Sequence, residues 1–107
     1  MDLGQLSTDE KDVYAALSKV IDPELGVSLV DLGLIYKIKI DAAGTCNIDW
    51  TLTTMGCPIV EILQGSIYDA AMKVDAVKKC QVKLVYYPQW TPEMMTREAR
   101  LVLGIHL

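Results

Sequence analysis

Apolar residues recur along the chain in two patterns, one with helical spacing and one with strand spacing. The helical pattern first follows a capping box formed by Ser7 and Glu10. It appears again after Pro58 and after Thr91-Pro92, where proline suits the first helical position and Thr91 is the expected N-cap. In the strand pattern every second residue is apolar, which predicts one buried and one solvated face. The predicted helices span residues 7–21, 58–74 and 92–103, and the predicted strands span 35–40, 46–53 and 80–87.

The order of these elements, α-β-β-α-β-α, predicts a compact α/β (α+β) domain that takes in all of residues 1–107. The turn 41–44 joins the first two strands and indicates an antiparallel hairpin. The second helix then connects the second strand to the third by a right-handed crossover. We therefore expect a small mixed three-stranded sheet with helices mainly on one face and with strand order 2-1-3.

Length and hydropathy limit the cellular context. A chain of 107 residues suits one domain, and none of its apolar runs is long enough to span a bilayer. The first six residues carry neither a basic flank nor the apolar stretch of a secretory signal. We expect a cytoplasmic protein that does not associate with membranes.

Charge and cysteine usage exclude several classes of function. The formal net charge of −4 gives the chain little attraction for polyanions, so we expect no nucleic-acid partner. There are three cysteines, an odd number, with no CxxC pair, and the single histidine is His106. This is neither a disulfide framework nor a zinc-finger pattern, and free thiols fit a reducing compartment.

Cys57 is the strongest candidate for chemistry, because it lies in the turn Gly56-Cys57-Pro58 at the predicted start of a helix. Unpaired N–H groups and the helix dipole at such a position favour a thiolate, and Gly56 permits close approach of a ligand. The alternative is that Cys57 only caps the helix, which Ser, Thr, Asp or Asn would do better. Cys46 and Cys80 share strand parity with core positions. We therefore expect Cys57 to be the only readily alkylated thiol.

Several other residues carry weaker signals. Asp22 and Glu24 flank a rigid proline, and their carboxylates suit metal ligands, general bases or capping groups equally well. Asp31 is expected to be a turn residue. Trp90 is either a surface anchor for a partner or a core plug under the last helix. The segment 25–35 is a long apolar connection that must pack against protein.

Three groups of residues together resemble one family, in order and in spacing, across about residues 8–105. They are similar to the N-terminal, cysteine and C-terminal signatures of the SufT/PaaD-like metal–sulfur cluster biosynthetic domain. That family includes iron–sulfur maturation proteins and a eukaryotic cytosolic targeting subunit. The matching segments are 22–25 with 28–35, then 52–58, and then 90–92 with 95–100.

The resemblance implies a non-enzymatic factor that assists iron–sulfur cluster assembly or delivery. The family's reactive cysteine falls on Cys57, its acidic motif on Asp22 and Glu24, and a commonly shared threonine on Thr53. The implied partners are the assembly machinery and client apoproteins. This sequence has neither the cysteine-rich C-terminal segment of the PaaD branch nor the N-terminal extension of the eukaryotic subunit, so we do not expect a PaaD-type role in an oxygenase complex.

Ligand count limits how a cluster is held. A protein-held cluster usually takes four ligands, most often thiolates, and one exposed cysteine per chain cannot supply them. The cluster is therefore transient or partner-assisted, or shared in a homodimer, or absent from the isolated protein. Two other functions stay open. One is a thiol enzyme with Cys57 as nucleophile, which requires His106 to fold back over it. The other is an adaptor whose interface is the segment 25–35.

Overall fold

Three helices and three strands make up the part of the chain that the computed structural model describes, which is residue 4 and the ranges 6–23, 25–52 and 60–104. The predicted order of elements is confirmed, with one short 3-10 turn added at Pro92–Met94. The helices are α1 (Thr8–Leu17), α2 (Val60–Met72) and α3 (Arg97–Leu103). The strands are β1 (Ile35–Ile40), β2 (Thr45–Trp50) and β3 (Lys79–Leu84).

The sheet has the order β1-β2-β3, so the predicted order 2-1-3 is wrong. β1 and β2 form the expected antiparallel hairpin, and β2 pairs with β3 in parallel. After the helix α2, the chain returns to the sheet directly beside β2 as β3. Strands that follow one another in sequence are most often neighbours in the sheet. β2 suits the central position because its inward residues Cys46, Ile48 and Trp50 are all completely buried.

The start of α1 follows the predicted capping box. The Ser7 hydroxyl accepts a hydrogen bond from the Glu10 amide at 3.2 Å, and the Glu10 carboxylate accepts one from the Ser7 amide at 2.9 Å. The helix ends at Leu17 instead of residue 21. Residues after it leave the helix because they pair with the following loop: Leu29 donates to the Val20 carbonyl at 2.9 Å, and an isolated antiparallel bridge joins residues 21 and 28.

Glu10 also connects α1 to the sheet. Its second carboxylate oxygen accepts a hydrogen bond from the Ile40 amide at 2.9 Å, on the edge of β1 that faces away from β2. The bonds from the Ile40 and Ser7 amides hold the pKa of Glu10 below its ordinary value, against the opposing effect of burial. A buried carboxylate thus satisfies backbone donors of two separate elements.

The C-terminal region departs from the predicted single helix over 92–103. Thr91 precedes the 3-10 turn but makes no side-chain capping bond. Met95 is then extended, with φ −73° and ψ 149°, which interrupts the helix. Thr96 caps α3 instead, since its hydroxyl accepts from the Ala99 amide at 3.2 Å. Gly104 ends α3 in the left-handed region, as predicted.

The core lies between the sheet and the helices, and the loop that follows α1 contributes to it. Trp50 at the end of β2 is completely buried, and its indole Nε1 has no hydrogen-bond partner among the described residues. The loop contributes the buried side chains of Val27, Leu29, Val30, Leu32 and Leu34. In the described ranges, no helix has both the length and the apolar character needed to cross a membrane.

Candidate functional site

The acidic motif begins in a tight turn that follows α1. The Asp22 amide donates to the Val27 carbonyl at 2.9 Å, and the Gly26 amide donates to the Asp22 carbonyl at 2.8 Å. The Asp22 carboxylate is buried and accepts a hydrogen bond from the Leu25 amide at 3.3 Å. Asp22 therefore organises its own turn. Its motif partner Glu24 lies outside the described residues.

The next stretch, residues 27–34, is a compact loop closed by its own backbone. The Ser28 hydroxyl accepts from the Asp31 amide at 3.0 Å, and the Ser28 carbonyl accepts from the Leu32 amide at 3.0 Å. Leu34 donates back to the Leu29 carbonyl at 3.1 Å. These bonds confirm that Asp31 is a turn residue. Because the apolar side chains here are buried, this stretch is mainly core and offers little surface for an adaptor interface.

Two hydrogen bonds connect this loop to the C-terminal motif. The Trp90 indole donates to the Leu32 carbonyl at 2.7 Å, across 58 positions of sequence. The Thr96 amide donates to the Asp31 carbonyl at 2.8 Å. Trp90 is half-buried and packs against the core. Two motifs that are distant in sequence therefore form one continuous unit, and residues 27–34 with 88–96 are called the motif platform below.

Gly33 shows how closely the two halves of the motif platform approach. Its φ of +76° lies in the left-handed region that favours glycine. A Cβ at this position would collide with the backbone carbonyl of Met94. Any larger residue at position 33 would therefore push the C-terminal motif away from the loop.

A cavity of about 540 Å³ opens beside the motif platform, lined in part by Tyr14, Tyr36 and Thr96. The Tyr36 hydroxyl donates to the Pro88 carbonyl at 2.8 Å. Burial raises the pKa of Tyr36, and burial together with the negative charge of Asp31 raises the pKa of Tyr14. Both phenols therefore stay protonated and neutral well above physiological pH.

The cysteine motif begins where the motif platform meets the sheet. The Thr51 amide donates to the Leu34 carbonyl at 2.8 Å, and Thr51 and Leu52 are both buried. The residues that directly precede the cysteine motif are therefore fixed by a hydrogen bond to the loop 27–34. Four residues of the cysteine motif that the sequence singled out lie outside the described residues, as do Glu24 and His106; the four are Thr53, Gly56, Cys57 and Pro58.

The other two thiols lie where the strand pattern predicts. Cys46 and Cys80 are both buried, on β2 and β3. Within the described ranges, no cluster of three or more His, Cys, Asp or Glu side chains could hold a metal ion. These residues alone therefore do not supply the ligands of a resident metal centre.

Sequence patterns did not single out Gly33, Tyr14 or Tyr36 as parts of this region. The one sequence signal was Gly33 itself, within the N-terminal motif. Its positive φ and its close contact with Met94 become visible only in the folded structure. The tyrosines lie on α1 and β1 and belong to this region because they line the same cavity as the C-terminal segment.

Comparisons with known proteins show which family this chain resembles. A family model described as iron-sulfur cluster assembly protein matches residues 10–84. The Fe-S protein maturation auxiliary factor SufT of Staphylococcus aureus is 41% identical over 86 residues, covering 80% of this chain and 98% of the relative. The Fe-S protein maturation auxiliary factor YitW of Bacillus subtilis is 41% identical over 96 residues, covering 90% of this chain and 94% of the relative.

A solved structure extends the similarity to three dimensions. The crystal structure of a domain of unknown function from Bacillus anthracis superposes with a TM-score of 0.87 at 35% identity, covering 98% of this chain and 100% of that chain. The family model includes the acidic motif, the loop of the motif platform and the cysteine motif. Matches of this extent, in sequence and in fold, establish that the chain belongs to the iron–sulfur cluster assembly protein family.

Proposed function

We propose that this protein is a cytoplasmic iron–sulfur maturation factor that assists delivery of clusters to client apoproteins, with Cys57 as a thiolate ligand. The observation that carries the proposal is the family match over residues 10–84, because that range contains Asp22, Asp31 and the whole cysteine motif. Relatives of nearly the same length are named as maturation auxiliary factors. The cluster is cargo in this proposal, and the protein acts without catalysing a reaction of its own.

The motif platform supports a docking role for this end of the molecule. Hydrogen bonds from Trp90 and Thr96 tie the C-terminal segment to the loop, and the bond from Thr51 to Leu34 ties the loop to the end of β2. The cysteine motif therefore starts from a position, at the end of β2, that hydrogen bonds hold in place. We propose that the cysteine motif presents Cys57 from this base to a cluster held by a partner.

The ligand inventory supports transient rather than permanent cluster binding. Iron–sulfur clusters take mostly thiolate ligands, usually four. Cys46 and Cys80 are buried in the sheet. The remaining ligands would come from the partner or from a second copy of the chain. Asp22 and Glu24 are proposed as oxygen ligands or as positioning groups, and ligation by Asp22 would compete with its bond from the Leu25 amide.

Complementation of a bacterial strain that lacks its own family member tests this function. Cys57→Ser should fail to restore the activity of client iron–sulfur enzymes, because a serine hydroxyl is not a soft anionic ligand at neutral pH. Asp22→Asn removes charge while keeping shape, and should lower the restored activity. Asp41→Asn is the matched control. Asp41 also accepts backbone bonds in a turn, but at the opposite end of the hairpin, and this variant should restore activity fully.

Restoration by Cys57→Ser to the wild-type level would refute the cysteine-centred function. Anaerobic purification with iron and sulfide analysis then tests cluster carriage separately. We expect substoichiometric iron on the isolated protein. We expect more iron per chain when the protein is purified together with a client apoprotein. A stoichiometric cluster on isolated Cys57→Ser would contradict the assignment of Cys57 as ligand.

A further inference from the structure

Cys46 and Cys80 are directly paired neighbours on the parallel strands β2 and β3. Paired residues of parallel strands point to the same face of the sheet, and neighbouring strands lie about 4.8 Å apart. Disulfides span Cα separations of about 4.4 to 6.8 Å. Bond formation between these sulfurs therefore needs little movement of the backbone.

The two thiols differ in access. Cys46 is completely buried, whereas Cys80 keeps 9% of its surface exposed. Cys80 lies on the lining of a groove of about 430 Å³ between α2 and β3. The described residues that line the groove with it are Glu61, Gln64, Gly65, Tyr68 and Val82. A small reagent therefore meets Cys80 in this groove, whereas Cys46 does not line it.

We propose that Cys46 and Cys80 form a second thiol site, separate from the Cys57 motif, at which a small disulfide oxidises the pair to a disulfide between β2 and β3. Cys80 is the attacking thiol and Cys46 the resolving thiol. The site does not depend on the maturation function proposed for Cys57.

The exchange balances with one small disulfide, RSSR, as the oxidant. The Cys80 thiolate attacks one sulfur of RSSR, the S–S bond of the reagent breaks, and RS⁻ leaves. Cys46 then loses its proton and attacks Cys80 Sγ, which expels the second RS⁻. The protein gives up two electrons and the two thiol protons, and the reagent is reduced to two molecules of RSH.

The electrostatics of the pair match this division of roles. Side-chain hydrogen bonding with the neighbouring Cys46 lowers the pKa of Cys80 below its ordinary value, although burial opposes this effect. The same interaction raises the pKa of Cys46, with further increases from burial and from the negative charges of Cys80 and Glu10. Once Cys80 is in a mixed disulfide it no longer carries charge, so its effect on Cys46 disappears and the resolving thiol ionises more readily.

The groove also favours one charge class of disulfide. Glu61 is the charged side chain among the described lining residues, so the groove attracts a cationic reagent and repels an anionic one. Cystamine, which carries two ammonium groups, should therefore react faster than oxidised glutathione, which is anionic. Glu61→Gln should reduce this difference.

The test treats the full-length chain carrying Cys57→Ser with cystamine and follows the products by mass spectrometry. Digestion with trypsin and an Asp-specific protease cleaves the chain at Asp49. Cys46 and position 57 therefore lie on different peptides. We expect the loss of two hydrogens and a linked Cys46–Cys80 peptide. In Cys46→Ser the mixed disulfide on Cys80 should accumulate instead, because no resolving thiol is present. The same peptide mapping on the wild-type chain makes the test independent of how well Cys57→Ser folds.

Gly65 provides a control of access. A Cβ at Gly65 meets no atom within 4 Å, so a side chain can begin at this position, and leucine also favours the helix. Gly65→Leu should therefore narrow the groove. This variant should form the disulfide more slowly, whereas Ser66→Leu, one residue along on the side facing α1, should react at the wild-type rate. The proposal is overturned if the native chain gives no Cys46–Cys80 linkage, if wild type links Cys80 to Cys57 instead, or if both leucine variants react at the wild-type rate.

Discussion

Glu10→Gln tests whether one buried carboxylate connects the first helix to the sheet. The carboxylate is 4% exposed and accepts two backbone hydrogen bonds at 2.9 Å, from Ser7 at the helix start and from Ile40 on β1. Glutamine keeps the shape of the side chain but offers one acceptor oxygen and one NH₂ donor. In the variant, one of the two backbone amides therefore faces another donor.

The cost follows from the bonds lost. A hydrogen bond to a charged group contributes about 1.5 to 3 kcal/mol, and a buried donor left without an acceptor costs about 1 to 3 kcal/mol. The second bond survives but is made to a neutral oxygen. We expect the free energy of unfolding to fall by about 3 kcal/mol, and the Tm of a domain of this size to fall by more than about 10 °C.

Urea unfolding measured by circular dichroism is the assay, with Asp9→Asn as the matched control. Asp9 is exposed in the same helical turn, so its neutralisation removes the same charge from the helix start at a cost of about 0.3 to 1 kcal/mol. If Glu10→Gln unfolds within about 0.5 kcal/mol of this control, the two backbone bonds contribute nothing beyond the helix dipole and the reasoning is refuted.

The pH dependence gives a second check. The pKa of Glu10 in the folded protein lies below its ordinary value of 4.5. Its ionised form therefore stabilises the fold fully above the unfolded pKa, and this contribution is lost as pH falls through the folded pKa. The stability difference between wild type and Glu10→Gln should be constant near neutral pH and should shrink below about pH 4. A difference that stays constant into acid would show that burial and shape, rather than charge, decide the effect.

Three further predictions concern the motif platform and the cysteine motif. Trp90→Phe removes the indole donor to the Leu32 carbonyl and should lower the free energy of unfolding by about 1 kcal/mol in urea titrations; an unchanged midpoint would contradict it. Gly33→Ala should cost clearly more than the about 1 to 2 kcal/mol of a left-handed alanine, because its Cβ meets the Met94 carbonyl. Gly26→Ala is its control, with a similar φ of +70° and no atom near the new Cβ, and equal losses in the two variants would refute the close approach. Cys57→Ser should leave the Tm nearly unchanged in scanning calorimetry, since serine is a good N-cap for the helix start that the sequence predicts here; a large fall would indicate a structural role.

The sequence alone determined the local elements and the family. Hydrophobic periodicity located all six elements, because a helix or strand must bury one face whatever its partner is. The capping box at Ser7 and the glycine stop at Gly104 were also predictable, since each is a contact between near neighbours. Strand parity alone was enough to place Cys46 and Cys80 inside. Three motifs in order were enough to indicate the family.

Tertiary structure decided the features that depend on residues distant in sequence. Pairing with residues 28–29 ended α1 early, and the bond from Thr96 to Asp31 moved the start of the last helix to Arg97. Strand order depends on where the crossover helix returns the chain, which periodicity does not encode. The junction of the two outer motifs, and the pairing of Cys46 with Cys80, likewise arise from register and long-range hydrogen bonds. The residue pattern specifies which face of an element is buried. Only the folded chain specifies which other element packs against that face.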